Sequence, residues 1–255
     1  MNIAEKPYIG SAVYILNFRN PALKVRFEQA QAEAAFAGFV NGQSQQTNVP
    51  DSADPNQARL IFQSEKKSIA ISQAACQLQL GFHGSGLSFS AQLAALRKNV
   101  LEFCRRCYVF RDFSEYALNG LVVEVNFPRQ MMDIKSELQI LHERFIKTEK
   151  LGEVGSFQIN LGYKVEDLFL NFSVSPYETR KFEVSFKMTS PIPDVNLNSL
   201  PVIENGLTVK IDVNNMPIAE KKGSEEMPSQ LLSAFDDFVD KKFSSIIGME
   251  LPKGE

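Results

Sequence analysis

The chain has 255 residues, 44% of them hydrophobic, and a formal charge of −3 at pH 7. It is long enough for one large domain or two modest ones with a substantial core, and its charge exerts no general pull on nucleic acid. The opening MNIAEKPYIG lacks the basic-then-apolar order of a secretion signal, and no segment approaches the roughly 18 uninterrupted apolar residues of a membrane span, so a cytoplasmic protein with no membrane partner is expected.

GSAVYILNF, residues 10 to 18, is rich in β-branched and aromatic types and reads as a strand. Asn20-Pro21 then offers a helix start, with Leu23, Phe27, Ala30, Ala34 and Ala37 at helical spacing and Gly42 as the stop. GQSQQTNVPDSADPNQ has no apolar period and reads as a long, mobile loop. ARLIFQS and KSIAISQ flank Glu65-Lys66 as two arms of a hairpin, and ACQLQLGF alternates strictly, placing Cys76, Leu78, Leu80 and Phe82 on one face. Past the glycine turn HGSG, Leu93, Leu96, Val100, Cys104 and Cys107 recur at three and four, the stripe of a helix laid on a sheet. The first half, residues 1–115, therefore reads strand, helix, three strands, helix.

The second half, residues 116–255, opens in a similar way. VVEVNFPR (122–129) echoes VYILNFRN (13–20), with Asn126-Phe127 standing where Asn17-Phe18 stand earlier. A strand from Leu121 to Phe127 ends at Pro128, and Met131, Ile134, Leu138, Leu141 and Phe145 share a helical face. A three-strand meander is expected next. Phe157, Ile159 and Leu161 alternate, then Leu168, Leu170, Phe172 and Val174, then Phe182, Val184, Phe186 and Met188, with YKVED and SPYETR as turns. After a proline-rich connection (190–201), NGLTVKIDVNN adds a strand. Ser224 caps a last helix whose buried face is Leu231, Phe235, Phe238, Val239, Phe243 and Ile246, and Pro228 is tolerated in its first turn. The expected class is α+β, in two similarly organised halves, each a mostly antiparallel sheet with helices on one face. Element order carries this reading, since residue identity between the halves is weak.

RLIFQSEKKSIAISQAACQLQL, the LVVEVNF strand, and LTVKIDV followed by a helix ending FDDFVDKKFSSIIG together resemble a sporadically distributed, functionally uncharacterised bacterial family of similar length. The resemblance spans nearly the whole chain and rests on structural motifs. LQLGF departs from the more polar, Asn-bearing segment of that family. What it implies is an accessory, antitoxin-like or adaptor protein, often encoded near mobile elements or antiviral defence genes, with a protein partner encoded nearby. It supplies no catalytic residues.

Chemistry-bearing residues are sparse. Three cysteines without regular spacing make no disulfide framework. Cys104-Arg-Arg-Cys107 has the spacing of a redox or zinc half-site, but both thiols continue the apolar stripe of their helix, and only Cys76, His83 and His142 could complete a metal set. His142 flanks a charged helix surface. His83 lies in FHGSGLSF, which lacks the Lys-Ser/Thr ending of a phosphate loop. No G-x-S-x-G or H-E-x-x-H occurs, and Asp236, Asp237 and Asp240 read as a solvated flank. No catalytic residue, metal or cofactor is therefore expected. Arg97, Lys98, Arg105, Arg106 and Arg111 gather along one helix toward its C-terminus, where the dipole favours cations without any ligand. They are also the natural contacts for an anion, with Tyr108 and Phe110 available to stack on bases. Two functions follow: a non-catalytic protein-interaction module, with a homodimer left open, and a nucleic-acid-binding accessory factor that uses the basic helix end. Charge reversal of Arg105 and Arg106 separates them, since it abolishes nucleic-acid retention only in the second.

Overall fold

The structure is a computed structural model, and it describes residues 6–40, 43–128, 134–146, 152, 154–181, 200–220 and 224–247. Among these residues nine strands form one antiparallel sheet in the order β2-β3-β4-β5-β1-β6-β9-β8-β7. They are β1 (Tyr8–Phe18), β2 (Gln45–Gln46), β3 (Ala58–Gln63), β4 (Lys67–Ser72), β5 (Ala75–Gly81), β6 (Tyr116–Pro128), β7 (Ile159–Val165), β8 (Leu168–Arg180) and β9 (Val202–Asn214). The helices are α1 (Gln29–Phe36), α2 (Phe89–Phe110), α3 (Ile134–Phe145), α4 (Met227–Asp237) and α5 (Phe243–Ile247), and the protein is α+β. The seam of the sheet joins β1 to β6. Outward from it the order is β1, β5, β4, β3 on one side and β6, β9, β8, β7 on the other. The expected third meander strand, Phe182 to Met188, lies outside the described residues, as does the side chain of Ile134.

Alternation dictates the layering. Ala12, Tyr14 and Leu16 of β1, Leu121, Val123 and Val125 of β6, Val209, Ile211 and Val213 of β9, and Cys76 and Leu78 of β5 all point to one side and are buried. On that side α2 lies over β1 and β5, α4 over β6 and β9, and α3 over β8 and β9, while α1 packs against α2. One core cluster runs from Phe62 on β3 to Phe243 on α5. The stripe Leu93, Leu96, Val100, Cys104 and Cys107 is buried along α2, whose first turn is capped by Ser88 Oγ accepting from the Ala91 N–H. A π-helical turn, Phe238–Lys242, links α4 to α5 and lets Phe238 and Phe243 meet edge to face at 6.1 Å.

Four expectations need correction. The helix expected from Asn20 to Gly42 is a 3-10 turn (Val25–Glu28) followed by the two turns of α1, and its inner face is Val25, Ala32, Ala35 and Phe36. Leu23 and Phe27, expected inside, are 67% and 86% exposed, and Ala30, Ala34 and Ala37 are exposed too. A run of alanines fits several helical faces equally well, so the larger Phe36 chooses, stacking on Phe103 at 6.0 Å.

The loop after α1 is held rather than mobile. Arg26 donates from Nη1 to Thr47 O (2.7 Å), from Nη2 to Val49 O, and from Nε to Asp51 (2.8 Å). Arg59, fully buried at a bulge in β3, donates from Nη1 to Gln57 O (2.6 Å) and from Nη2 to Ala53 O (3.3 Å), and its Nε lies 3.4 Å from the same Asp51. The third correction concerns SPYETR, which is no turn. Residues 175–180 continue β8, paired with β9 from Ser175↔Thr208 to Arg180↔Val202, because a matching partner strand overrides the turn tendency of Ser-Pro. Likewise Tyr163, Lys164 and Val165 of YKVED belong to β7, and the turn shrinks to Glu166-Asp167.

Candidate functional site

The other side of the sheet carries no helix among the described residues. Its surface is laid down by the residues that alternate with the core. Cross-strand register places them in transverse rows. One runs Gln79, Val13, Val122, Asp212, Asn171, Gly162 across β5, β1, β6, β9, β8 and β7. The next runs Gln77, Ile15, Gly120, Asn214, Phe169, Lys164, and a third Ser11, Glu124, Lys210, Ser173, Asn160. At the centre Val13, Ile15 and Val122 are half-buried apolar groups, with amides, hydroxyls and a few charges around them.

The polar rim is cross-linked by its own side chains. Ser11 Oγ donates to Glu124 (2.6 Å), which stands opposite Lys210, and Asp212 accepts from Asn214 Nδ2 at 3.0 Å. At one end, a network crosses four strands. Tyr8 and Tyr177 both donate to Glu204 Oε1, at 2.6 and 2.7 Å, Asn126 Nδ2 donates to the Tyr8 oxygen at 3.2 Å, and Thr208 Oγ1 donates to Asn126 at 2.8 Å. Burial and then the Glu204 hydrogen bond push both phenols above their ordinary value, so they remain neutral donors. At the other end, over β7 to β9, lies an open groove of about 460 Å³ lined by Asn160, Asn171, Ser173, Lys210 and Asp212. The rim groups are spread over strands and occupied with one another. The His83 ring lies 5.7 Å from the ring of Tyr8, beside the end of this network.

Four of the five basic residues singled out in the sequence are tied to carboxylates. Arg97 holds Asp236 of α4 through Nη2 (2.7 Å) and Nε (2.9 Å). Arg105 and Arg106 both bind Glu102, and Arg106 also donates to Ala35 O and Ala37 O at the end of α1 (3.2 and 3.0 Å). The Arg106 hydrogen bond heads the interactions that hold Glu102 below the ordinary carboxylate range. Arg111 joins Glu28 and Glu115, and Lys98 is exposed on α2. Arg97 and Arg106 thus tie α2 to α4 and to the end of α1, and Arg111 ties the residue after α2 to Glu28. Arg97, Arg106 and Arg111 spend their guanidinium groups on these contacts, while Arg105 and Lys98 stay exposed.

The thiols are core. Cys76, Cys104 and Cys107 are buried and free, and the Tyr116 hydroxyl donates to the backbone carbonyl of Cys107 at 3.0 Å. Among the described residues no group of three or more His, Cys, Asp or Glu could hold a metal. Burial pushes Cys104 and Cys107 up, and does the same to Tyr14 and Tyr116. Each of these groups keeps its proton longer when folded than unfolded. Their stabilising contribution is complete below the unfolded thiol value of about 9 and is lost as pH rises beyond it. The folded protein should therefore leave all three thiols unreacted with a maleimide at pH 8 for hours, releasing three on denaturation, and should lose thermal stability steadily above pH 9. One fast-reacting thiol, or a flat alkaline profile, would contradict this burial.

Placing the helices on one face of the sheet already implied an open one, but sequence reasoning did not name the apolar centre it carries, Val13, Ile15 and Val122. The signal was present: VYIL and LVVEV are nearly continuous apolar runs, which in a sheet with one wet face mark central strands whose second face is partly apolar. No protein-family model, curated protein or solved structure matches this chain. No described helix is long and apolar enough to cross a membrane.

Proposed function

We propose that the chain is a non-catalytic interaction module that binds another protein on the helix-free face of its sheet, acting as an accessory or adaptor. The observation that carries this reading is the composition of that face. An apolar centre, Val13, Ile15 and Val122, is ringed by Gln77, Gln79, Asn171, Asp212 and Asn214, the layout of a protein interface with an apolar middle and a polar rim.

The test is purification of the tagged chain from its native host beside a Val122→Lys variant. A stoichiometric partner retained by the native chain should be lost with Val122→Lys, which puts a charge at the centre of the face and leaves the core untouched. We expect at least a tenfold weakening, equivalent to about 1.4 kcal/mol. Full retention by Val122→Lys, combined with loss on charge reversal of Arg105 and Arg106, would move the contact to the helix layer.

A further inference from the structure

We infer that β7 is a self-association edge, through which two copies of the chain pair antiparallel with Gly162 on the dyad and extend the sheet across the contact. This surface is separate from the helix-free face. β2, only two residues long, terminates one end of the sheet, whereas β7 ends the other with seven residues paired on a single side. The backbone groups on its outer side are unpaired among the described residues, which makes it a template for a further strand.

The sequence of β7, INLGYKV, is complementary to itself in one register. With Gly162 opposite Gly162, Ile159 meets Val165, Leu161 meets Tyr163 and Asn160 meets Lys164. The first two pairs lie on the helix side, because Ile159, Leu161 and Tyr163 stand opposite Val174, Phe172 and Leu170 of β8, which are buried there. The apolar layer simply runs out at this edge. Tyr163 stacks on Phe172 at 6.2 Å yet is 46% exposed, and Val165 is 41% exposed. A second copy would cover both with Leu161 and Ile159 and continue the core across the dyad. On the opposite side Lys164 falls against Asn160. Shifting the register by two residues toward the C-terminus of the strand puts Lys164 against Lys164, and that repulsion selects the register centred on Gly162. Glycine at the dyad leaves room for the Asn171 side chain, which a Cβ would meet at 2.5 Å.

Seven residues a side is well under the roughly 20–30 of a standard interface, so the dimer should be weak and in rapid exchange. Sedimentation of the full chain from about 5 to about 500 µM should show the mass climbing from 28.6 kDa toward twice that value, with a midpoint in the tens of micromolar. Tyr163→Lys with Val165→Lys, both at exposed positions, should keep the circular dichroism of the native chain and raise the midpoint at least tenfold. Cross-linking fixes the register. A chain carrying both Asn160→Cys and Lys164→Cys should oxidise to a covalent dimer, and Asn160→Cys alone should not, the three native thiols being buried. A mass of one chain at every concentration, dimerisation unaffected by the double lysine variant, or cross-linking by Asn160→Cys alone would each overturn the assignment.

Discussion

Replacing Arg59 with alanine should cost about 3–5 kcal/mol, lowering the melting temperature by roughly 6–20 °C, and should free the segment from Thr47 to Gln57. Arg59 is fully buried, and its guanidinium binds the backbone carbonyls of Ala53 and Gln57 and stands beside Asp51. The alanine variant loses all of these donors and leaves a cavity where the guanidinium and its stem had been. Arg59→Lys should recover little, because one ammonium cannot reproduce a planar fork. Thermal unfolding gives the magnitude and limited proteolysis the location, with new cleavage between residues 47 and 57. Arg26 holds the same loop from the helix side, so a double variant with Arg26→Ala should unfold the segment fully. A melting point within about 2 °C of the native chain would show that the arginine is not what orders the loop.

Gly206→Ala should be about as damaging, at roughly 3 kcal/mol or more, for a steric reason. A Cβ at Gly206 would stand 2.1 Å from Phe127 O and 3.1 Å from Pro128 Cα. These are backbone atoms, so no rotamer change relieves the clash, and β9 must move away from β6 along a register that runs from Gly120↔Asn214 to Pro128↔Gly206. Gly10→Ala is the matched control. Its Cβ meets only the side-chain amide of Asn126, at 2.8 Å, which can rotate away at the cost of its bond to Tyr8. Denaturant unfolding should separate the two variants by at least about 2 kcal/mol. Equal losses would mean that the strands tolerate a side chain at this crossing.

Much of this fold was legible in the sequence, and the failures have physical causes. The α2 stripe and the alternation of β5 are read directly because large apolar residues recur at one period only. The first helix failed because alanines mark no face, and the segment after Val174 failed because Ser-Pro looks the same in a turn and in a paired strand. That all nine strands share one sheet rests on β1 pairing with β6 across some hundred residues, a long-range choice that local pattern does not encode. The basic cluster was legible as charge but not as structure. Glu102 stands at helical spacing from Arg105 and Arg106 and could have been named as their partner, whereas Glu28 and Asp236 arrive only through packing. The apolar centre of the helix-free face was hidden because an apolar residue pointing away from the core looks, in sequence, like one more core residue.

Lysine acetylation footprinting of the complex with whatever protein co-purifies tests the central claim most directly. Lys210 is exposed on β9 of the helix-free face, and Lys98 is exposed on α2. Binding on the open face should protect Lys210 severalfold and leave Lys98 unchanged. Protection of Lys98 with Lys210 fully reactive, or no stoichiometric partner at all, would contradict it.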